Sequence, residues 1–156
     1  MGTYLNLGCG KKYIEGHVNV DIAKELKVDI YCDARFLPFR DNVFNEVRCI
    51  HVLEHVSPFW LVQTVKEIYR VLTENGIVYC NTPDMYYIFY LIQMDSTLGK
   101  LYGKAYQGTF GADRWGYYDI HKSFFLPETL KELFSLCGFK IKSLKRRGQL
   151  MLVAVK

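Results

Sequence analysis

No stretch of this chain approaches the roughly 20 consecutive apolar residues that a helix needs to cross a bilayer. The N-terminus lacks the basic and apolar segments of a secretory leader; Gly2-Thr3-Tyr4 opens directly into strand pattern, so a cytoplasmic protein is expected. Proline is scarce, with 4 residues, and no repeat or low-complexity linker divides the 156 residues, which read as one domain. Cysteine is present but poorly placed for cross-linking. Its five residues, at 9, 32, 49, 80 and 137, are odd in number, widely spaced and set mostly in apolar runs. That pattern describes reduced, buried small hydrophobes and argues against a disulfide framework or a cysteine zinc site. Charge imbalance is also missing: 20 basic against 16 acidic residues leave +4, which does not call for nucleic acid or a membrane as partner.

What is present is apolar and periodic. Half the residues are hydrophobic, and the length suffices for a real core. Short runs rich in Val, Ile, Tyr and Cys predict strands at 3–7, 17–22, 28–32, 46–50 and 76–81. They are too continuously apolar for a sheet with one wet face, which favours a buried parallel sheet. Helical spacing places Leu61, Val65, Ile68 and Leu72 on one stripe of 59–72, and Leu130, Leu133, Phe134 and Cys137 on one face of 127–137. Residues 138–145 and 149–155 flank Arg147-Gly148 as a terminal antiparallel hairpin. Between 84 and 120 the pattern loosens. An apolar, helix-like start at 85–98 gives way to glycines interleaved with Tyr102, Tyr106, Phe110, Trp115, Tyr117 and Tyr118, the composition of a lid or cover. The connections before position 28 are too short for full crossover helices, so the aromatic segment or a second copy of the chain is expected to cover the early strands.

Tyr4-Leu5-Asn6-Leu7-Gly8-Cys9-Gly10 runs a strand into a paired-glycine turn, and His17-Val18-Asn19-Val20-Asp21 ends a second strand on a carboxylate. Glycine lets backbone approach a ligand closely, and a carboxylate at the tip of the neighbouring strand can accept from both ribose hydroxyls. A dinucleotide fingerprint would need glycine near position 13, which is Tyr13, and an acid about 20 residues on; Asp21 follows after 11. A single nucleoside fits better.

With Leu5 to Gly10 and Asn19-Val20-Asp21-Ile22 stand three more motifs in order: Cys32-Asp33-Ala34 with Leu37-Pro38-Phe39, then Phe44 and His51-Val52-Leu53-Glu54-His55-Val56, then Glu67 to Gly76. In these the sequence resembles the class I S-adenosylmethionine-dependent methyltransferases, as a small methyltransferase-11-like member with a truncated first crossover helix. The resemblance implies an α/β, Rossmann-like three-layer sandwich, mostly parallel with a C-terminal antiparallel hairpin. It implies S-adenosylmethionine as cofactor, S-adenosylhomocysteine as product, and methyl transfer to a small or medium nucleophile. It would place Asn6, Gly8, Cys9 and Gly10 under the methionine part, Asp21 on the ribose and Ile22 against the adenine. Asp33 and Ala34 would meet the adenine edge, with His51 and Leu53 near the sulfonium. Asn6 stands where the family usually has an acid, and Lys12 where a third glycine is common, so attraction to the methionine ammonium is expected to be weaker.

Three other features invite chemistry. His51-x-x-Glu54-His55 matches an inverted zinc-hydrolase pattern, but a strand precedes it and Pro58 follows closely; no metal site is expected, and loop-pinning by Glu54 and His55 is the ordinary reading. His51 or His121 could serve as general base if the acceptor must lose a proton. Asp84, at the end of the fifth strand, is either substrate-facing or the start of the next helix. Lys140, Lys142, Lys145, Arg146 and Arg147 read as a solvated hairpin face. The rival to the enzyme is a non-catalytic nucleoside-binding or scaffold protein on the same fold.

Overall fold

Leu5, Leu7, Val18 and Val20 alternate with polar neighbours, which commits the first two strands to one apolar face. The computed structural model describes residues 2–24, 26–94, 109–111 and 119–156. Its seven strands are β1 (Tyr4–Leu7), β2 (Val18–Asp21), β3 (Ile30–Tyr31), β4 (Phe44–Ile50), β5 (Leu72–Pro83), β6 (Lys140–Arg146) and β7 (Gln149–Val155). They form one sheet in the order β3-β2-β1-β4-β5-β7-β6. The first five are parallel; β7 pairs antiparallel with both β5 and β6. This is the α/β, Rossmann-like arrangement with an antiparallel terminal hairpin. The strand order reverses between β1 and β4, and ligands in such sheets bind at the carboxyl ends beside that point.

Helices α1 (Leu61–Val71), α2 (Met85–Met94) and α3 (Pro127–Leu136) accompany the sheet. Thr64, Val65, Ile68 and Val71 bury one stripe of α1, and α3 buries Leu130 and Phe134. Pro127 suits the first position of α3, where no N–H is needed, and Thr129 Oγ1 accepts from the Leu126 N–H at 3.0 Å. These stripes share one core with Leu5, Leu7, Val20, Val47, Cys49, Val78 and Leu152. Truncating a fully buried aromatic such as Phe134 costs about 3–5 kcal/mol in a core of this kind.

Alternation sends Asn6 and Asn19 to the opposite face, where they explain how the fold manages without a first crossover helix. The Asn6 amide donates to the Lys12 carbonyl at 2.8 Å and to Asn19 Oδ1 at 2.9 Å. Asn19 in turn accepts from the Ile14 N–H and donates to the Ile14 and His17 carbonyls. Two buried asparagines thus hold the 11–17 connection over the strands as coil. Most of the predicted lid lies outside the described residues, at 95–108 and 112–118. Among the described residues no helix is long and apolar enough to cross a membrane.

Candidate functional site

The carboxyl ends of β1, β2 and β4 converge on two adjoining cavities of about 650 and 380 Å³, within the range of small-molecule sites. Gly8, Asp21, Ile22, Val52 and His55 line both. Gly8 and Gly10 have φ of +62° and +52°, in the left-handed region. A Cβ on Gly8 would meet Val52 Cγ2 at 2.4 Å, so the turn and the post-β4 loop interlock there. A Cβ on Gly10 would meet nothing within 4 Å, which makes Gly10 an open cradle in the wall of the larger cavity.

Asp21 closes this turn. Its Oδ2 accepts from the Gly10 N–H at 2.8 Å and its Oδ1 from the Ala23 N–H at 3.0 Å. Each carboxylate oxygen can accept more than one bond, so the group is both oriented and still able to receive hydroxyls. Cys9 beside it is buried; desolvation and the Asp21 charge push its thiol up to about 11. Burial first, then Asp33, does the same to Cys32. Both thiols stay protonated at neutral pH and are poor nucleophiles.

The strand-to-turn junction after β4 is strained. His51 has φ +57°, costly for a side chain with a Cβ, and its N–H is anchored on the Asn81 carbonyl at 2.9 Å. Its Nδ1 lies 2.8 Å from Glu54 Oε1 and its Nε2 3.2 Å from Gln149 Oε1. The hydrogen bond to Glu54 raises the His51 pKa above its ordinary value, against the opposing effect of burial. Glu54 is 1% exposed, and among the described residues its buried Oε2 has no hydrogen-bond partner. Leaving a buried acceptor in that state costs about 1–3 kcal/mol.

The comparisons with known proteins bear on this geometry. A family model described as a methyltransferase domain matches residues 5–80. Over those residues, just under half of the chain, the sequence is similar to that domain, and the fold is the one seen in solved S-adenosylmethionine-dependent methyltransferases. A solved S-adenosylmethionine-dependent methyltransferase of Methanosarcina mazei is similar over 99% of this chain and 92% of its own, with a TM-score of 0.74 at 19% identity. One from Mesorhizobium loti matches over 99% and 91%, with a TM-score of 0.70 at 14% identity. An uncharacterized protein of Methanocaldococcus jannaschii is 33% identical over 78 residues, 48% of this chain; the match spans 33% of that protein's length.

Within this fold, Asn6, Gly8, Cys9, Gly10, Asp21, Ile22 and His51 line the larger cavity, and Asp33 and Ala34 the smaller. Leu53 does not join them. It is fully buried in the core, because the 3-10 turn at Leu53–His55 rotates it inward and leaves Val52 on the wall. Asn6 lines the cavity, yet its amide already donates to the Lys12 carbonyl and to Asn19 Oδ1. Asp33 is already engaged: Arg35 donates Nε to both its oxygens and its backbone N–H to Oδ1. Desolvation opposes ionisation of Asp33, but these bonds and the Arg35 charge hold it below the usual carboxylate range.

His121 lines neither cavity; its ring packs edge-on against His55 at 4.9 Å, and His55 lines both. The inverted zinc-hydrolase geometry is not formed. Residues 51–55 make no α-helix, and His51 turns its Nδ1 onto Glu54. Loop-pinning runs through the main chain, with the Glu54 carbonyl accepting from Lys122 and Ser123 at 2.7 and 3.0 Å. Asp84 is structural: buried, it accepts from Arg146 Nε at 2.7 Å and from the Tyr86 N–H at 3.0 Å, which opens α2. One member of the basic stretch is thereby committed inward. Sequence reasoning passed over Arg35, whose guanidinium lies 5.1 Å from the Trp60 ring and walls the smaller cavity with it.

Proposed function

We propose that the two cavities bind S-adenosylmethionine and that the protein transfers its methyl group to a small or medium nucleophile. The observation that carries this reading is Asp21. Its carboxylate is fastened by the backbone of the glycine turn itself, at the edge shared by both cavities. The donor set suits the cofactor: an oriented carboxylate for two ribose hydroxyls, Ile22 and Ala34 as apolar surface for a base, and the unfilled cradle at Gly10 for the methionine chain. Asp33 would serve the adenine edge only while shared with Arg35.

When bound, the cofactor supplies a methyl group already activated by the positive sulfur. The chain's own part is positioning and the exclusion of water. Val52 and Gly8 fix the spacing between the β1 turn and the post-β4 loop. His51 sits on the wall of the larger cavity with Nδ1 given to Glu54 and Nε2 3.2 Å from Gln149 Oε1, so it would receive an acceptor's proton at Nε2 once the acceptor displaces Gln149. His121, off both cavities, would act only through His55.

Calorimetric titration with S-adenosylhomocysteine tests the reading. Wild type should bind one molecule per chain, and Asp21→Ala should bind at least tenfold more weakly while remaining folded. Absence of binding at millimolar ligand would overturn it, and undiminished binding by Asp21→Ala would overturn the ribose assignment. Tight binding with no methyl transfer to any hydroxyl, amine, thiol or carboxylate probe would favour the non-catalytic binder.

A further inference from the structure

Glu54, His55 and His121 each offer one ligating atom, and these atoms all lie within 4.8 Å of one another. The fold assembles this set from two distant parts of the chain. Glu54 and His55 end the turn behind β4; His121 immediately precedes the two residues whose N–H groups bind the Glu54 carbonyl. The Ser123 hydroxyl adds a bond to the Val56 carbonyl at 2.6 Å, so the two segments are held side by side.

Two further observations point to a ligand. Glu54 is 99% buried by its 1% exposure, His51 engages only Oε1, and among the described residues Oε2 has no hydrogen-bond partner. His55 Nδ1 lies 3.3 Å from the Ile120 carbonyl; donation there leaves Nε2 with its lone pair, the state a metal-ligating histidine takes.

We propose that Glu54 Oε2, His55 and His121 bind a first-row divalent transition metal, with zinc the ion their chemistry suits best. Two imidazoles and one carboxylate are a zinc donor set that keeps a fourth position open. Bond lengths near 2.0–2.2 Å place tetrahedral ligand atoms about 3.4 Å apart, and one ligating atom of each residue already lies within 4.8 Å of the others. His51, hydrogen-bonded to Oε1, fixes the carboxylate's orientation and is not itself a ligand. This differs from the inverted hydrolase pattern, which would use His51 and for which the sequence offers His121 only as a distant donor that no spacing supports. His55 lines both cavities while Glu54 and His121 line neither, so the ion would sit behind their wall on the far side of His55. The site stands on its own geometry and does not depend on methyl transfer.

Chelator-stripped full-length protein, titrated with zinc by calorimetry, should take up one ion per chain. Cobalt should give a visible d–d spectrum without the near-ultraviolet band of thiolate ligation. His121→Asn should weaken zinc binding at least tenfold, whereas His17→Asn, at the opposite end of the parallel strands, should leave it unchanged. Since Glu54→Gln disturbs a buried group, His121→Asn carries the test, with circular dichroism confirming that it folds. No stoichiometric uptake by wild type, a thiolate band, or equal affinity of wild type and His121→Asn would each overturn the proposal.

Discussion

Gly8→Ala and Gly10→Ala should part company, although both residues share one turn and one backbone conformation. At either position alanine must adopt left-handed φ, at about 1–2 kcal/mol. At Gly8 the new methyl also lands 2.4 Å from Val52 Cγ2, and relief of such overpacking costs about 1–3 kcal/mol more. The sum is roughly 2–5 kcal/mol, or a fall in melting temperature of about 4–20 °C for a domain of this size. Gly10→Ala meets nothing within 4 Å and should lose only the backbone share. Its methyl instead enters the larger cavity, so S-adenosylhomocysteine affinity should drop at least tenfold in a protein close to wild type in stability. Urea unfolding separates the two effects from calorimetry. The double variant Gly8→Ala/Val52→Ala should recover the steric share, giving a coupling of about 1 kcal/mol or more. Equal destabilisation by the two single variants, or no coupling with Val52, would refute the interlock between the turn and the post-β4 loop.

Other expectations follow from the same contacts. Glu67 accepts from Arg70 and from the Leu37 N–H, and those bonds, with burial opposing, hold its carboxyl below the ordinary range. A depressed carboxyl stabilises the fold above its unfolded pKa of about 4.3 and loses that contribution as pH falls through the folded value. Acid unfolding of Glu67→Gln, followed by circular dichroism, should therefore be flatter below about pH 4.3; an unchanged acid limb contradicts the network. Asp84→Ala should destabilise by about 1–3 kcal/mol in urea while leaving S-adenosylhomocysteine affinity within about twofold. A folded Asp84→Ala protein that fails to bind would return Asp84 to the site. Phe134→Ala should cost about 3–5 kcal/mol, and a loss under 1 kcal/mol would mean the α3 core is mispacked.

The sheet was legible because its strands are written as short runs bounded by turn residues, with Leu5/Leu7, Val47/Cys49 and Val78/Cys80 alternating onto a buried face. The helices were legible through Val65/Ile68 and Leu130/Phe134, spaced three or four apart. The glycine turn and Asp21 were legible because only glycine serves at Gly8 and only a strand-end acid reaches that turn. What escaped depends on pairings that no local pattern encodes. Asn6 reads as a weakened cofactor contact until Asn19 and the Lys12 carbonyl are seen to take its amide. Leu53 and Val52 exchange places because the chain leaves β4 through a strained His51 into a 3-10 turn, shifting the phase by one residue. Asp33 and Asp84 look available until Arg35 and Arg146 are placed, the second of them 62 residues away. His55 and His121 share no periodicity and meet only because the Glu54 carbonyl captures the 122–123 backbone.

The central claim is that a nucleoside cofactor lies between the Gly8–Gly10 turn and Asp21. Titration of ¹⁵N-labelled protein with S-adenosylhomocysteine, followed by amide chemical shifts, tests it most directly. Saturable shifts are expected at Gly8, Gly10, Ile22 and Ala34, with the β6 amides of Lys140–Arg146 unmoved. Saturation with the largest shifts elsewhere, or no shifts at millimolar ligand, would contradict it.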